Sequence, residues 1–242
     1  MKKIRIYQAG NYNIGQIIEL NADAGQHVSL VLRKQIGDIL TLFPGNNYEF
    51  DAEIIKVAKK KVSVTILTKR VVDRESPCQL HLAQAISKGE RMEIVVQKAV
   101  ELGVASITPL ITERCVIKLD KDRFEKKRQQ WQAIAIAACE QSGRNKVPQI
   151  KPVLTLEQYL DQPLPALNFV LDPKACHNWK SIKPSVTEIG LIIGPEGGFS
   201  QGELTSLIEK EFSPLSLGPR ILRTETAAIV ALSVLQAICG DL

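Results

Sequence analysis

The sequence has few of the residues that build disulfide frameworks and metal centres. Its 242 residues include five cysteines and three histidines. The cysteines are odd in number and widely separated, and none of them form a Cys-x-x-Cys pair, so neither a disulfide scaffold nor a zinc site is indicated. We therefore expect reduced, mostly buried thiols and no metal-dependent mechanism.

Long apolar runs are absent as well. Met1 leads directly into Lys2 and Lys3 without the apolar segment of a secretory signal, and no run of about 20 apolar residues follows. The expectation is a soluble, cytoplasmic protein with no membrane partner.

Basic residues outnumber acidic ones and give the chain a formal net charge of +5. They crowd two stretches, one between Lys56 and Arg74 and the other between Lys121 and Arg128. Such clustering fits a polyanionic partner, although two solvated faces would produce the same pattern.

Two kinds of pattern divide the chain. Up to about residue 72, short alternating runs such as DILTLF and KVSVTILTKR surround a Pro-Gly-Asn-Asn turn, which predicts a small antiparallel barrel. After the linker VVDRESPCQ, strand-like runs (QLHLAQAI, SITPLI, NFVLD, EIGLIIG, PLSLG) alternate with helical ones, which predicts a mostly parallel sheet covered by helices. We expect domains at residues 1–72 and 73–242.

Periodicity and capping residues predict several helices in the second domain. ERMEIVVQKAVEL has apolar residues at helical spacing and should end before Gly103, and a long helix should run from about Asp122 to Ser142, ended by Gly143. Ser200 and Glu203 form a capping box. The final helix, TAAIVALSVLQAIC, is apolar on nearly every face, which predicts packing on its own sheet and on a second copy of the chain, a homodimer.

The strongest local motif is EIGLIIGPEGGFSQGE, a buried strand followed by a glycine-rich turn and a capped helix. Such turns often bind phosphate, but the segment lacks the G-K-[ST] ending of a P-loop and the G-x-G-x-x-G spacing of a dinucleotide site. Taken alone, it is equally consistent with a tight turn that needs glycine for positive φ.

A second segment makes the sequence recognisable. LIIGPEGGFS followed by LGPRILRTETAA resembles the RsmE family of 16S rRNA uridine-N3 methyltransferases in the SPOUT superfamily. KGERMEIVVQKAVELGV, TERCVIKL and ACEQSGRNKVP are similar to further family motifs in the expected order, and RIYQ with HVSLVLRKQIGDILTLFPG is similar to the family's N-terminal barrel. The resemblance covers nearly the whole chain.

The resemblance implies an α/β fold class, with a SPOUT trefoil-knot methyltransferase domain after a PUA-like antiparallel RNA-binding β-barrel. It implies that the knot binds S-adenosylmethionine, with the adenine held by main-chain groups. Its cofactor-binding residues carry over to Leu171, Ile193, Gly194, Pro195, Gly197, Gly198, Leu217, Gly218, Ile221 and Leu222. The implied partner is 16S rRNA within the small ribosomal subunit.

The implied reaction requires that a proton leave uridine N3, because the neutral nitrogen has no useful lone pair. Either a base takes the proton or a cation stabilises the N3 anion. The candidates near the cofactor loops are Glu196, Arg220, Arg223 and Glu225, each of which could instead form a structural ion pair; Glu196, Arg223 and Glu225 are taken as the catalytic residues. Since Glu225 falls at a predicted helix start, where the helix dipole weakens it as a base, we predict that Arg223 stabilises the anion and that Glu225 orients Arg223.

Five basic residues are candidates for RNA contact. Arg5 matches a family position and is expected to face RNA, and Arg91 is expected to line the substrate cleft. The remaining three are Lys59, Lys60 and Lys61. Two other functions stay open: a SPOUT methyltransferase acting on another RNA, and a non-catalytic rRNA-binding assembly factor that uses the knot only as a scaffold.

Overall fold

The computed structural model describes residues 4–59, 61–115, 121–176 and 187–242, together with 179, 182 and 185. The chain forms two compact units. The first contains Met1–Glu75 and Cys139–Val147, and the second contains Ser76–Ala138 and Pro148–Leu242. None of the described helices is both long and apolar enough to cross a bilayer.

A six-stranded sheet dominates the first unit, in the order β1-β3-β4-β5-β2, with β6 paired to β4. Its strands are β1 (Arg5–Tyr7), β2 (Ile17–Glu19), β3 (Ile39–Phe43), β4 (Tyr48–Ala58), β5 (Lys61–Ile66) and β6 (Arg70–Val71). All pairs are antiparallel except β1 and β3, which run parallel. The sequence predicts only antiparallel pairs, so the parallel pair differs from the prediction. A parallel pair needs a crossover connection, and the chain between β1 and β3 is long enough to form one.

That crossover also contains helices that the sequence patterns do not predict. Helix α1 (Ala22–Gln26) is capped by Asn21, whose side chain accepts a hydrogen bond from the Ala24 N–H, and a π-helical turn (His27–Val31) follows it. Val28, on the π-helical turn, is fully buried in the same core as Leu42 and Val64. The helical segment therefore closes one side of the sheet's core.

The second unit contains a seven-stranded sheet in which every pair is parallel. Its order is β10-β8-β7-β12-β11-β13, with β9 paired to β8. The strands are β7 (Gln79–Ala85), β8 (Ser106–Ile111), β9 (Gln149–Ile150), β10 (Leu154–Thr155), β11 (Asn168–Leu171), β12 (Glu188–Ile193) and β13 (Phe212–Leu215). The near-continuous burial of β8 and β12 is typical of parallel strands covered on both faces, and the predicted α/β pattern is confirmed.

One strand is displaced from its predicted position. The run PLSLG predicts a strand over residues 214–218, but β13 covers Phe212–Leu215. Phe212 and Leu215 are its buried residues, and Gly218 has φ +96°, outside the range of a strand. Proline has no N–H to donate to a neighbouring strand, and it is tolerated at position 214 because β13 lies at the edge of the sheet.

The helices described after β7 are α2 (Arg91–Glu101), α3 (Lys121–Ser142), α4 (Leu156–Leu160), α5 (Gln201–Glu209) and α6 (Thr224–Cys239). The short α4 was not predicted, and the others begin and end close to their predicted limits. Gly103 and Gly143, which follow α2 and α3, both have positive φ, as expected of glycines that end helices. The capping box of Ser200 and Glu203 is present at the start of α5.

Helix α6 packs one face on its own unit, as predicted. It contacts α2 and β12, and Ala228, Ala231, Leu232 and Leu235 are buried there. Its opposite face is only half-buried and carries Ile229, Val230, Val234 and Ile238. The second unit alone therefore leaves part of this apolar helix uncovered.

Candidate active site

The predicted cofactor loops meet at one edge of the parallel sheet. Strands β12, β11 and β13 are neighbours in that order, and the loops at 171–173, 193–198 and 217–222 begin at the ends of these strands or within two residues of them. The carboxyl ends of adjacent parallel strands lie at the same edge of the sheet, and ligands of open α/β sheets bind at this edge. The topology therefore brings together three segments that are far apart in sequence.

The glycine-rich turn after β12 uses its glycines in two ways. A Cβ built on Gly194 would lie 3.2 Å from the Phe199 ring and 3.3 Å from the Gly198 backbone, so glycine permits close packing here and a larger residue would need its neighbours to shift. Gly198 has φ +65°, donates its N–H to the Pro195 carbonyl at 2.9 Å, and has no atom within 4 Å of a Cβ placed on it. The turn thus has open space beside bare backbone at Gly198.

A small cavity lies between the first and third loops. Its volume is about 50 Å³, and it is lined by Leu171, Asp172, Pro173, Leu215, Leu217, Gly218, Arg220, Leu222 and Ala227. Four predicted cofactor residues, Leu171, Leu217, Gly218 and Leu222, thus share one cavity. The other predicted cofactor residues do not line it: Ile193, Gly194, Pro195, Gly197, Gly198 and Ile221.

The surroundings of this cavity leave further apolar and backbone surface free. The Ile221 side chain is 86% exposed, and the space around a Cβ on Gly218, where φ is +96°, is empty. A pocket for a drug-sized ligand has a volume of roughly 300–1,000 Å³, so this cavity can hold only part of a cofactor, and the open surface at Gly198, Gly218 and Ile221 is available for the rest. A larger cavity of about 780 Å³ lies between α4 and α5, and none of its lining residues is a predicted site residue.

Arg91 links two predicted catalytic carboxylates. Its Nη1 donates to Glu196 Oε1, and its Nε lies 3.9 Å from Glu225 Oε2. The Lys88 backbone N–H also donates to Glu196 Oε1, at 3.1 Å. Burial alone would raise the pKa of the Glu196 carboxyl, but hydrogen bonds from its own N–H, from Lys88 and from Arg91 bring that pKa below its ordinary value. Glu196 is therefore held ionised, which makes it a weak proton acceptor.

The third catalytic candidate, Arg223, stands apart from these carboxylates. It is the N-cap residue of α6 and is exposed, and its side chain makes no hydrogen bond or ion pair to the rest of the described chain. No contact among the described residues supports the prediction that Glu225 orients Arg223, since the cation within 4 Å of Glu225 is Arg91. The Glu225 side chain is 14% exposed, and its Oε2 has no hydrogen-bond partner among the described residues.

Three polar residues beside the loops were not singled out from the sequence. Arg114 donates to the Gly197 carbonyl at 2.8 Å. The Thr224 hydroxyl donates to the Gly194 carbonyl at 2.8 Å, and Gln84 Nε2 donates to Thr224 Oγ1 at 2.9 Å. Arg114 and Thr224 lie within recognisable segments, but no local pattern in the sequence indicates their partners.

The candidate RNA residues of the first unit differ in their surroundings. The Arg5 side chain is only 11% exposed, forms an ion pair with Glu49, and donates to the Arg144 carbonyl and to Asn145 Oδ1. It also stacks 4.7 Å from the centre of the Phe43 ring. The expectation that Arg5 faces RNA is corrected, because these contacts use the guanidinium to tie residues 144 and 145 to the sheet.

The lysine cluster at the β4–β5 turn faces solvent. Lys59 is exposed with φ +51°, and the Lys61 side chain is 75% exposed and lies 3.4 Å from Glu19. Lys60 lies outside the described residues. Lys59 thus presents an exposed cation at a tight turn, whereas Lys61 is exposed but already paired with Glu19.

Comparisons relate the chain to known RNA methyltransferases over nearly its whole length. The family described as RNA methyltransferase domain matches residues 74–236, and the family described as RNA methyltransferase PUA domain matches residues 20–67. A protein of Buchnera aphidicola subsp. Acyrthosiphon pisum named ribosomal RNA small subunit methyltransferase E is 38% identical over 242 residues, covering 99% of this chain and 96% of that protein.

Two solved structures are similar to the whole fold. A methyltransferase of Legionella pneumophila in complex with the bound cofactor SAM is 54% identical, with a TM-score of 0.98 and coverage of 100% of both chains. A ribosomal RNA small subunit methyltransferase E of Neisseria gonorrhoeae bound to S-adenosyl methionine is 36% identical, with a TM-score of 0.91 and coverage of 99% of both chains.

Proposed function

Because the chain belongs to the ribosomal RNA small subunit methyltransferase E family, we propose that it methylates N3 of a uridine in 16S rRNA, with S-adenosylmethionine as methyl donor. The family resemblance read from the sequence is thereby confirmed. The observation that carries the proposal is the meeting of the three family loops at the carboxyl edge of β12, β11 and β13. We also propose the finer fold features that the resemblance implies, a C-terminal trefoil knot and a closed N-terminal barrel, and the cytoplasm as the compartment.

The residues at the three loops fit a cofactor of this kind. Leu171, Leu217 and Leu222 supply apolar walls around one cavity, and the open space at Gly198 and Gly218 lets a ligand approach bare backbone. Ile221, which is largely exposed, supplies a further apolar surface for a ligand to cover. When bound, S-adenosylmethionine supplies an activated methyl group.

The charged residues at the site have different proposed roles in removing the proton from uridine N3. Arg223 is an exposed cation at the N-cap of α6, so its planar guanidinium can meet a uracil oxygen and stabilise the developing N3 anion. Glu196 is held ionised by hydrogen bonds from its own N–H, from the Lys88 N–H and from Arg91, which favours a positioning role for it over that of proton acceptor. In this scheme water takes the N3 proton, and Arg223 lowers the cost of its removal.

The proposed reaction is tested by mapping nucleosides of 16S rRNA from a strain in which the gene is deleted. We expect one 3-methyluridine to disappear and to return when the wild-type gene is supplied. Loss of a modified nucleoside from another RNA would instead support a methyltransferase of different substrate. An unchanged set of modified nucleosides would support a non-catalytic assembly factor.

The first unit is proposed to hold the RNA through the lysines at the β4–β5 turn. Replacing Lys59, Lys60 and Lys61 together with alanine should weaken RNA binding and reduce the slope of log affinity against log salt by about 2, because single-stranded RNA releases about 0.7 counterion for each phosphate neutralised. Fluorescence anisotropy with a labelled 16S rRNA fragment between low and moderate salt measures this slope.

The matched control removes three lysines that lie outside both basic clusters: Lys34, Lys98 and Lys210. Lys34 and Lys98 lie 3.7 and 2.8 Å from Asp38 and Glu101, and Lys210 is the C-cap of α5. Their replacement makes the same change in net charge. This control should leave the salt slope as in the wild type. Equal slopes for the turn variant and the wild type would show that the turn cluster is only a solvated face.

The half-buried face of α6 is proposed to pack against a second copy of the chain. Val230 and Val234 lie on this face, with Ile229 and Ile238 at its two edges, and burying them against a partner would remove their apolar surface from water. We expect sedimentation velocity at micromolar concentration to give a dimer. Replacing Val230 and Val234 with aspartate should shift the protein to a monomer of 26.8 kDa, whereas a wild-type monomer would contradict the assignment.

A further inference from the structure

A buried hydrogen-bonded network joins the glycine-rich turn to the helix that follows Arg223. Thr224 Oγ1 donates to the Gly194 carbonyl at 2.8 Å and accepts from Gln84 Nε2 at 2.9 Å. Gln84 Nε2 also donates to the Ala85 carbonyl at 3.1 Å. The three groups come from the end of β7, the end of β12 and the first residue of α6, so one hydroxyl links three elements.

The network leaves Thr224 little freedom. Gln84 is fully buried and Thr224 is 6% exposed, and the threonine hydroxyl uses its single hydrogen on Gly194 while a lone pair receives the Gln84 amide. A buried polar group that loses its partner is unfavourable, so neither bond can be exchanged for water without opening the site. The hydroxyl therefore sets the distance between the glycine turn and the start of α6.

A shift of Thr224 would also move residues that are proposed to take part in the reaction. It lies between Arg223 and Glu225 in the chain, and the residue before it is the exposed N-cap of α6. The turn that it holds continues to Glu196 and Gly198. We infer that Thr224 and Gln84 are positioning residues of the methyl transfer, which hold Arg223 in register with the cofactor loop. This inference rests on the proposed function.

The test compares three variants of the purified full-length protein. Thr224→Val keeps the shape of the side chain but removes the hydroxyl, and Thr224→Ser keeps the hydroxyl. Thr205→Val is the matched control, because the Thr205 hydroxyl donates only to the Gln201 carbonyl of its own helix, at 3.0 Å, on an exposed surface. The readouts are S-adenosylhomocysteine affinity by calorimetry and single-turnover methylation of a 16S rRNA fragment at saturating cofactor.

We expect Thr224→Val to lose on the order of 10-fold to 10²-fold in single-turnover rate, since small displacements of reacting groups have effects of this size, and to bind S-adenosylhomocysteine more weakly. Thr224→Ser should restore both quantities nearly to wild type, and Thr205→Val should change neither. If the hydroxyl has a purely structural role, Thr224→Val will unfold at a lower temperature but will keep the wild-type rate and affinity below that temperature. This result would overturn the inference.

A second variant covers the case in which Thr224→Val does not fold. Gln84→Met removes the amide donor but leaves the bond from Thr224 to Gly194, and a smaller loss of rate in the same direction supports the inference. If neither variant folds, the network serves the stability of the whole unit and the inference is overturned. Wild-type protein that neither binds S-adenosylhomocysteine nor methylates the RNA would instead refute the proposed function itself.

Discussion

Replacing Arg223 with alanine is expected to lower the single-turnover rate of methylation by about 10² to 10³, the loss seen when one donor to a developing anion is removed. The affinity for S-adenosylhomocysteine should stay near that of the wild type, because Arg223 is exposed and does not line the apolar cavity of the cofactor loops. Rapid-quench measurement of methyl transfer to a 16S rRNA fragment, with calorimetry for the cofactor, separates the two quantities.

Arg223→Lys is the matched variant for this prediction. Lysine keeps the charge but cannot present a planar pair of donors to uracil, so it should recover little of the lost rate. Full recovery would mean that a point charge is sufficient, and an unchanged rate in Arg223→Ala would remove Arg223 from the chemistry.

The pH dependence of the rate distinguishes anion stabilisation from general-base catalysis. With stabilisation by Arg223, the wild-type rate should keep rising toward the pKa of the uracil, since the fraction of N3 anion rises with pH. A Glu196 base would be deprotonated already at low pH, because the pKa of Glu196 lies below its ordinary value, and the rate would then be flat from pH 6 to 9. A flat wild-type profile that gains a slope in Glu196→Gln would assign the proton to Glu196.

The second large effect is expected at the glycine turn. Gly198→Val should abolish binding of S-adenosylhomocysteine in calorimetry, because the new side chain would occupy the open space beside the backbone. A β-branched residue at φ +65° also strains the turn, by roughly 1–2 kcal/mol.

Gly15→Val controls for backbone strain alone. Gly15 has φ +83° and the same open surroundings, but it belongs to the first unit, whereas the three loops belong to the second. The Gly15 variant should lose similar stability in a thermal melt and keep its cofactor affinity. A folded Gly198→Val protein with wild-type affinity would contradict the assigned cofactor pocket.

Much of the second unit was predictable because its signals are local. The apolar spacing of α2, the capping box of Ser200 and Glu203, and the glycines that follow α2 and α3 all act within a few residues, and the structure has each predicted helix close to its predicted limits. The displaced strand β13 shows where this fails. Its position depends on which residues the sheet buries, and that choice is made by neighbours distant in sequence.

The ionic contacts of the candidate site could not be read in the same way. Arg91 pairs with Glu196 across 105 residues, and Arg5 pairs with Glu49 across 44. The sequence indicates charged residues in these segments, but a charge pattern does not specify a partner. The structure gives the Arg5 guanidinium partners at Glu49, residue 144 and Asn145 in place of the exposed position that was expected.

By itself, the sequence determined the family of this protein, the alternation of strands and helices, and the three glycine and proline loops that carry its strongest motifs. These depend on residue identity, backbone conformational preference and spacing, all of which are local properties of the sequence. Only the tertiary structure decided that the Arg5 guanidinium is buried, that Arg91 is the cation beside Glu225, and that Gln84 and Thr224 join the glycine turn to α6. Those outcomes depend on which groups share a buried space, because a buried polar group must find its partner wherever the fold has placed one.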